Sequence, residues 1–469
     1  MKKLILLFLI FLVGCTDMLD QMPSDQLPSS SAITTVNDLN IALNGVYVLY
    51  TNRASYSGDF GLYADGKGGD TRYMGAFNHF APITRYEHDA TSEMPRRMFE
   101  NIYTALARIN NILEVVSLIK IETGEQTEYD NLVGQLYAMR ALLHFDAARL
   151  FAQLPTVAPD MNAPNSGIVL STEYYQPDAT FTRSTLQETY DQILADFATS
   201  LLKLSKEKSY GKINYWSAKG LQARVYLYLG DYSNALSASV EVINNDKGYK
   251  LYERDEYLSV WSKTATKESL FEIITTDNVN AQRNSIGYYT IPNGYCECAA
   301  TDAFVAWLRA DLNDIRSDII VQMSSGGQYL AWYPRKYLGQ EGATAPSYVN
   351  NPKIIRISEI YLIAAEAKLK GGTAAGSLEA VDYYNALRVK RITGYTNSAS
   401  VTLDDILDER RRELFCENHR MFDLARNKVD INAPIVQITP VSCTDYRIIM
   451  AIPQRELDIS TDLVQNPGY

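Results

Sequence analysis

From about residue 37 onward, hydrophobic positions recur three and four residues apart, which is the spacing of one face of an α-helix. In segment 98–121 the pattern is carried by Ile102, Leu106, Ile109, Leu113 and Val116. The same spacing predicts helices over residues 39–50, 132–154 and 185–204, with Asn37 and Asp38 as the cap of the first one. The pattern therefore predicts a largely helical body.

Two later segments have the pattern of helical hairpins. Residues 216–245 combine a helix rich in small side chains, a break at Gly230 and a second helix, as in a tetratricopeptide-like repeat. Residues 359–370 and 378–391 repeat this arrangement around a pair of glycines. Because such hairpins cannot bury their apolar faces alone, we expect them to stack on neighbouring helices.

Two stretches lack the helical period. Residues 249–348 are rich in aromatic side chains, contain three of the four tryptophans and are broken by Gly and Asn. A long irregular stretch in a compact protein is usually functional. Residues 56–80 mix Gly, Asp and aromatic residues, a composition that suits a surface loop. We therefore expect ligand contacts in these two stretches.

The N-terminus resembles a bacterial lipoprotein signal. Two lysines precede a short apolar run that cannot span a bilayer core of about 30 Å. Gly14 directly before Cys15 resembles a lipobox, in which residues 1–14 are removed and the cysteine becomes the lipid anchor. An ordinary secretory signal followed by a chance cysteine is the alternative. Residues 15–36, rich in Ser, Pro and Asp, have the composition of a tether.

Charge and motif content narrow the function. The chain has 469 residues and a formal net charge of −11, and an acidic surface argues against a nucleic-acid partner. The four histidines lack metal-binding spacing, and no nucleophile elbow or dinucleotide fingerprint is present. The sequence therefore predicts no metal, no cofactor and no catalytic residue.

A dense charged segment, Glu409-Arg-Arg-Arg-Glu413, could be mistaken for an acid–base pair. On a helix its members are three and four residues apart, as Glu409 is from Arg412, which favours local ion pairs. We interpret the segment as a structural network.

The cysteines leave alternatives open. If Cys15 is lipidated, an even number remains, and four cysteines allow three pairings. Free buried thiols are the other possibility. The four are Cys296, Cys298, Cys416 and Cys443.

The aromatic residues suggest a binding function. A sugar ring can lie with its CH face on Trp or Tyr while polar side chains at the rim bond its hydroxyls. Packing in half-buried loops is the alternative for each ring. The candidate ligand-binding residues are Tyr73, Phe77, Asn78, Asn293, Tyr295, Trp307, Arg309, Trp332, Tyr333 and Arg335.

Six sequence blocks, in the correct order, resemble the SusD/RagB family of lipid-anchored nutrient-binding proteins of bacterial outer membranes. The most specific are segment 409–426, with Glu417-Asn-His-Arg-Met-Phe-Asp423, and the terminal segment 452–469. The others are the start of the chain with Asn44-Gly-Val-Tyr47, segment 137–155, the hairpin 216–245 and segment 359–367. Asn418 and Met421 depart from the family's usual Gly and Trp, which we interpret as packing substitutions.

The resemblance implies an all-α, SusD-like body with four tetratricopeptide-like hairpins. One domain would span residues 37–469, with an N-terminal part 37–248, a loop-rich ligand-face insertion 249–350 and a C-terminal part 351–469.

The resemblance also implies a function. It predicts an outer-membrane lipoprotein, facing the cell exterior, that binds oligosaccharides or polysaccharides and delivers them to a SusC-like TonB-dependent barrel transporter. Peptide capture, as in the RagB branch, remains an alternative. A less favoured one is an envelope scaffold that uses its helical hairpins for protein partners.

Overall fold

The computed structural model describes residues 32–72, 79–175, 179–292, 294–325, 329–433 and 440–469. Over these residues the protein is mostly helical, which confirms the predicted all-α class. The helices of the N-terminal half are α1 (Val36–Val48), α2 (Asp59–Lys67), α3 (Ala81–Thr84), α4 (Glu93–Val115), α5 (Gln126–Phe151), α6 (Leu186–Leu201), α7 (Tyr215–Leu229) and α8 (Tyr232–Ile243). Those that follow are α9 (Ile286–Thr290), α10 (Asp302–Leu308), α11 (Ile357–Leu369), α12 (Ala380–Arg388), α13 (Leu403–Glu413), α14 (Arg420–Arg426) and α15 (Gln454–Ile459).

The four helices predicted from periodicity are present, with shifted ends. Helix α1 begins after Thr35, whose side chain accepts a hydrogen bond from the Asp38 backbone N–H. The Asp38 carboxylate accepts from the Thr35 N–H in return, which completes a capping box. The prediction that Asn37 and Asp38 cap the helix is therefore wrong by two or three positions. Thr185 forms the same reciprocal cap at α6.

The hairpin predicted at 216–245 is formed by α7 and α8. Gly230 ends α7 in the left-handed conformation, with φ of 77°, a geometry that favours glycine. Helices α11 and α12 form the second predicted pair, and α11 also packs against α8. The presence of both hairpins is thus confirmed, while their assignment to the tetratricopeptide-like class, and the total of four, remain predictions.

Short antiparallel strand pairs supplement the helices. They are β1 (Thr71–Arg72) with β3 (Ala299–Ala300), β2 (Ser269–Glu272) with β6 (Lys353–Arg356), and β4 (Ile320–Ser325) with β5 (Tyr329–Pro334). Helices α9 and α10 and the β4–β5 hairpin all lie within residues 249–348. The aromatic-rich stretch is therefore more regular than its sequence suggested, because its elements are too short to establish a period.

The expectation of a surface loop over residues 56–80 is wrong for its central part. Residues 59–67 form α2, and every residue of this helix is buried. Gly61 lies against the Tyr56 carbonyl oxygen, and a Cβ at this position would be only 2.2 Å from that oxygen. Small residues thus let α2 pack closely on several sides. A helix that is buried all round lacks the one-sided hydrophobic pattern of a surface helix, so the pattern did not predict α2.

One hydrophobic cluster extends from Ile33 to Leu463 and joins the helical pairs to the strand-containing region. Within the described ranges, no helix combines the length and the apolar character needed to cross a membrane.

A buried network of charged side chains, hereafter the ionic core, lies where α13 meets β6. Its members are Glu268, Asp314, Arg316, Arg356, Arg391, Glu409, Glu413 and Glu417. Glu413 accepts from the guanidinium groups of Arg316 at 3.2 Å and of Arg356 and Arg391 at 3.0 Å each. Burial alone would raise the pKa of Glu413, but these three cations hold that pKa well below its ordinary value.

The structural role predicted for segment 409–413 is therefore confirmed, but the predicted pairing between helical neighbours is wrong. Glu409 binds Arg316 and Arg388, and Arg410 binds Asp423. The partners come from other elements because these side chains point into the protein interior, where charges require close counterions.

Candidate functional site: a cluster of tyrosines

The site is organised around the short helix α9. Ser285 caps this helix by accepting a hydrogen bond from the Tyr288 N–H at 3.2 Å. Neighbouring residues of a helix point about 100° apart. Tyr289 is accordingly fully buried, whereas Tyr288 is half-buried and reaches the surface.

Tyr289 anchors the helix to the N-terminal half of the chain. Its hydroxyl donates to Asp59 Oδ1 at 3.1 Å. Asp59 is itself buried and forms ion pairs with Arg97 at 2.8 Å and Arg53 at 3.4 Å. Burial, reinforced by the Asp59 charge, raises the pKa of Tyr289, so its hydroxyl remains a neutral donor.

The turn after α9 returns the chain onto Tyr288. The Tyr295 N–H donates to the Tyr288 carbonyl at 2.9 Å. A Cβ at Gly294 would lie 1.9 Å from that same oxygen, so only glycine fits there. The rings of Tyr288 and Tyr295 consequently meet edge to face, with centroids 4.9 Å apart and an interplanar angle of 89°.

A third tyrosine is supplied by the segment before β6. Ser285 Oγ donates to the Ser347 carbonyl at 2.8 Å, which ties this segment to the start of α9. The Tyr348 ring centroid lies 5.4 Å from that of Tyr288. Arg283 is exposed beside them, and a hydrogen bond with Tyr348 raises the pKa of its guanidinium.

His79 completes the cluster. Its Nδ1 lies 2.8 Å from Oε1 of Glu297, a fully buried carboxylate that also accepts from the backbone N–H of Phe80 at 3.1 Å. The imidazole centroid is 4.3 Å from the Tyr295 ring. We call the group Tyr288, Tyr289, Tyr295, Tyr348, His79 and Arg283 the tyrosine cluster. It offers aromatic surface beside polar groups, a combination that can bind a sugar ring.

Of the candidates named from sequence, Tyr295 lies in the tyrosine cluster. Trp307 packs instead between two cations, with the guanidinium carbons of Arg411 and Arg412 at 4.2 and 4.1 Å from its ring centroid. Arg309 lies 4.9 Å over the Trp332 ring and bonds Asp318 at 3.2 Å. Trp307, Trp332 and Arg309 are thus engaged by side chains of the protein itself.

Tyr333 and Arg335 belong to the end of the β4–β5 hairpin. Tyr333 has no exposed surface, and its hydroxyl lies 2.8 Å from Cys296 Sγ, so its proposed ligand contact is wrong because the ring is buried. Arg335 is half-buried and its backbone N–H donates to Ile319 at 2.7 Å. The other candidates, Cys15, Tyr73, Phe77, Asn78 and Asn293, lie outside the described residues.

The remaining four cysteines are free thiols. Cys296, Cys298 and Cys416 are buried. Burial raises the pKa of the Cys416 thiol well above its ordinary value, so it remains protonated.

Sequence reasoning missed the other five members of the tyrosine cluster, which are Tyr288, Tyr289, Tyr348, His79 and Arg283. Tyr288 and Tyr348 lie within or at the edge of the aromatic-rich stretch, but tyrosines are numerous there and nothing local distinguishes these two. The Ser285 cap and the Gly294 turn are the local signals that could have located the site.

Comparison with known proteins identifies the family to which this fold belongs. The SusD family matches residues 321–469, and a family described as "Starch-binding associating with outer membrane" matches residues 17–227. A SusD superfamily protein from Bacteroides thetaiotaomicron is 30% identical, with 92% of this chain and 100% of that chain covered and a TM-score of 0.83.

Two further structures share the fold. A SusD superfamily protein from Bacteroides vulgatus is 29% identical, with 93% and 100% coverage and a TM-score of 0.86. A laminarin-binding SusD-like protein is 23% identical, with 93% and 100% coverage and a TM-score of 0.76. The chain belongs to the SusD family, which confirms the resemblance seen in the sequence.

Proposed function

We propose that this protein is a surface lipoprotein that binds oligosaccharides or polysaccharides on the tyrosine cluster and delivers them to a SusC-like TonB-dependent transporter. The observation that carries the proposal is the placement of Tyr288, Tyr295 and Tyr348. Their rings are half-buried, adjacent and fixed by backbone contacts, with exposed Arg283 at their edge. The starch-binding family description and the laminarin-binding relative support a carbohydrate ligand.

The chemistry of the cluster suits binding without catalysis. Because the aromatic rings are already held in place, they lose little side-chain entropy when a ligand binds. Each sugar CH face that lies on a ring is removed from contact with water. Arg283 and His79 can bond sugar hydroxyls at the rim. The proposal assigns no bond-breaking step to the cluster, so the glycan is released intact.

Attachment to the outer membrane would depend on lipidation of Cys15, with residues 15–36 as the tether. Cys15→Ser should release the protein from the membrane fraction of cells that express it. Unchanged membrane association of this variant would contradict the anchor. Co-purification of a barrel transporter with the wild-type protein would support the proposed delivery.

Affinity electrophoresis against a panel of polysaccharides, including starch and laminarin, tests the binding function. We expect retardation by at least one glycan and a clear loss of retardation in Tyr295→Ala. Tyr210→Ala, which removes an exposed tyrosine outside the cluster, is the matched control and should behave as wild type. Binding of oligopeptides with no binding of any glycan would favour peptide capture instead.

A further inference from the structure

A cavity is formed by residues that are not part of the tyrosine cluster. It has a volume of about 320 Å³ and lies between α4, the segment that precedes α6, and α15. This volume is within the range of small-ligand sites. Its aromatic lining residues are Phe99, Tyr103, Tyr174, Tyr175 and Phe181. No member of the tyrosine cluster lines it.

The walls of this cavity are fixed by contacts between distant segments. The Tyr103 hydroxyl donates to the Val169 carbonyl at 3.0 Å, and the Phe99 and Tyr103 rings are 4.3 Å apart. In a second wall, Tyr175 and Phe181 meet edge to face at 5.1 Å.

Ser460 connects α15 to that second wall. Its hydroxyl accepts from the Phe181 N–H at 3.2 Å and lies 3.1 Å from the Phe181 carbonyl oxygen. The aromatic lining is therefore held in place from three parts of the chain.

The charged side chains that line the cavity are acidic. Glu173 and Glu456 contribute carboxylates, and among the described residues no lysine, arginine or histidine lines the cavity. Among the residues that the structure describes, neither carboxylate forms an ion pair. Burial raises the pKa of Glu456; nearby Arg455 opposes this shift and Glu100 adds to it. Two carboxylates that form no ion pair among the described residues, exposed Glu173 and half-buried Glu456, thus lie beside five aromatic rings.

We propose that this cavity binds a small organic cation, an ammonium group carried on an apolar body. Aromatic faces attract cations through their quadrupole, and partial desolvation strengthens that attraction. The carboxylates of Glu173 and Glu456 supply the counter-charge that the lining otherwise lacks. The two carboxylates would repel an anionic ligand and attract a cationic one.

Choline and its neutral isostere 3,3-dimethylbutan-1-ol are the probes that separate charge from shape. Titration of the full chain, followed by calorimetry and tyrosine fluorescence, should show saturable binding of choline and at least tenfold weaker binding of the isostere. The double substitution Glu173→Gln and Glu456→Gln should weaken choline binding at least tenfold and leave the isostere unchanged.

Two further variants guard against misfolding and non-specific effects. Glu114→Gln removes an exposed carboxylate from the same helix α4 and should bind choline as wild type does. Tyr174→Ala truncates a ring that is 43% exposed, so it should fold normally and still bind choline several-fold more weakly. Thermal melting confirms that each variant is folded.

Three results would overturn the proposal. They are equal affinity for choline and the isostere, no saturable choline binding, or choline binding that survives the double Gln substitution. Tyr295→Ala should leave choline binding intact, so failure of this site and failure of the glycan site are measured separately.

Discussion

The ionic core and the tyrosine cluster both concentrate polar and aromatic chemistry, but they differ in exposure. Arg316, Arg356 and Arg391 are at most 1% exposed, and each binds at least two carboxylates. The rings of Tyr288 and Tyr295 are half-buried and contact one another, and they also contact the rings of Tyr348 and His79, respectively. A buried group whose bonds are all made inside the protein stabilises the fold, whereas a fixed ring that is partly exposed can also contact a ligand.

The largest expected effect is on the ionic core. Glu413→Gln keeps the shape of the side chain but leaves three buried guanidinium groups with one carboxylate fewer, so we expect the free energy of unfolding to fall by about 3–5 kcal/mol. Urea denaturation measures the loss. Glu122→Gln breaks the exposed pair with Lys120 and should change stability by less than about 1 kcal/mol. Equal stability of the two variants would show that the network contributes little.

Acid should weaken the buried ion pair between Glu366 and Arg426. Glu366 is bonded by Arg426 at 2.5 and 2.7 Å; burial alone would raise its pKa, but Arg426 outweighs burial and lowers the pKa to about 2. Since an unfolded glutamate has a pKa of about 4.3, the pair's contribution is complete above that value and is lost as the pH falls toward 2.

Glu366→Gln tests this prediction directly. The variant should be less stable at neutral pH, and between pH 5 and pH 2 its stability should fall by about 3 kcal/mol less than that of wild type. Urea denaturation across this pH range measures the difference, with exposed Glu128→Gln as control. Parallel pH profiles for wild type and Glu366→Gln would contradict the assignment.

Substitutions in the tyrosine cluster should change glycan binding more than they change the free energy of unfolding. Tyr288→Ala is expected to weaken glycan binding about tenfold, equivalent to about 1.4 kcal/mol, with a smaller change in the free energy of unfolding. Trp307→Ala should show the reverse, because its ring packs on Arg411 and Arg412. Calorimetry with the bound glycan and urea denaturation measure the two quantities. If Trp307→Ala lost glycan binding and Tyr288→Ala did not, we would conclude that the glycan binds at α10.

The smallest effect on glycan binding is expected for Arg283, at the rim of the tyrosine cluster. Arg283→Ala removes an exposed donor and should weaken glycan binding only about two- to threefold, since exposed hydrogen bonds compete with water. Arg283→Lys should recover part of this loss by retaining a donor. Calorimetry measures both variants, and a loss above tenfold would make Arg283 a main determinant of binding.

Sequence patterns predicted helices such as α4 and α6 because each has one apolar face. Helix α2 was missed because it is buried all round and contains Gly61 and Gly66, whose role is to allow close packing. A hydrophobic pattern describes a boundary between core and solvent, and α2 has no such boundary.

The candidate site could be predicted only in part, because a sequence does not show how each aromatic ring is packed. Composition located the aromatic-rich stretch, and Tyr295 was among its candidates. Trp307 and Tyr333 looked equivalent to it, since a sequence does not show that one ring packs on arginines and the other is buried against Cys296. Tyr348 joins the cluster through Ser347, a contact between residues that are 62 positions apart.

The hydrogen bond between Tyr289 and Asp59 joins residues 230 positions apart in the chain. Contacts of such separation require the closure of a long loop and form slowly relative to local helices. Helical content should therefore recover early during refolding, while glycan binding returns only when both halves of the chain have met. Ligand binding would then report completed folding more strictly than circular dichroism does.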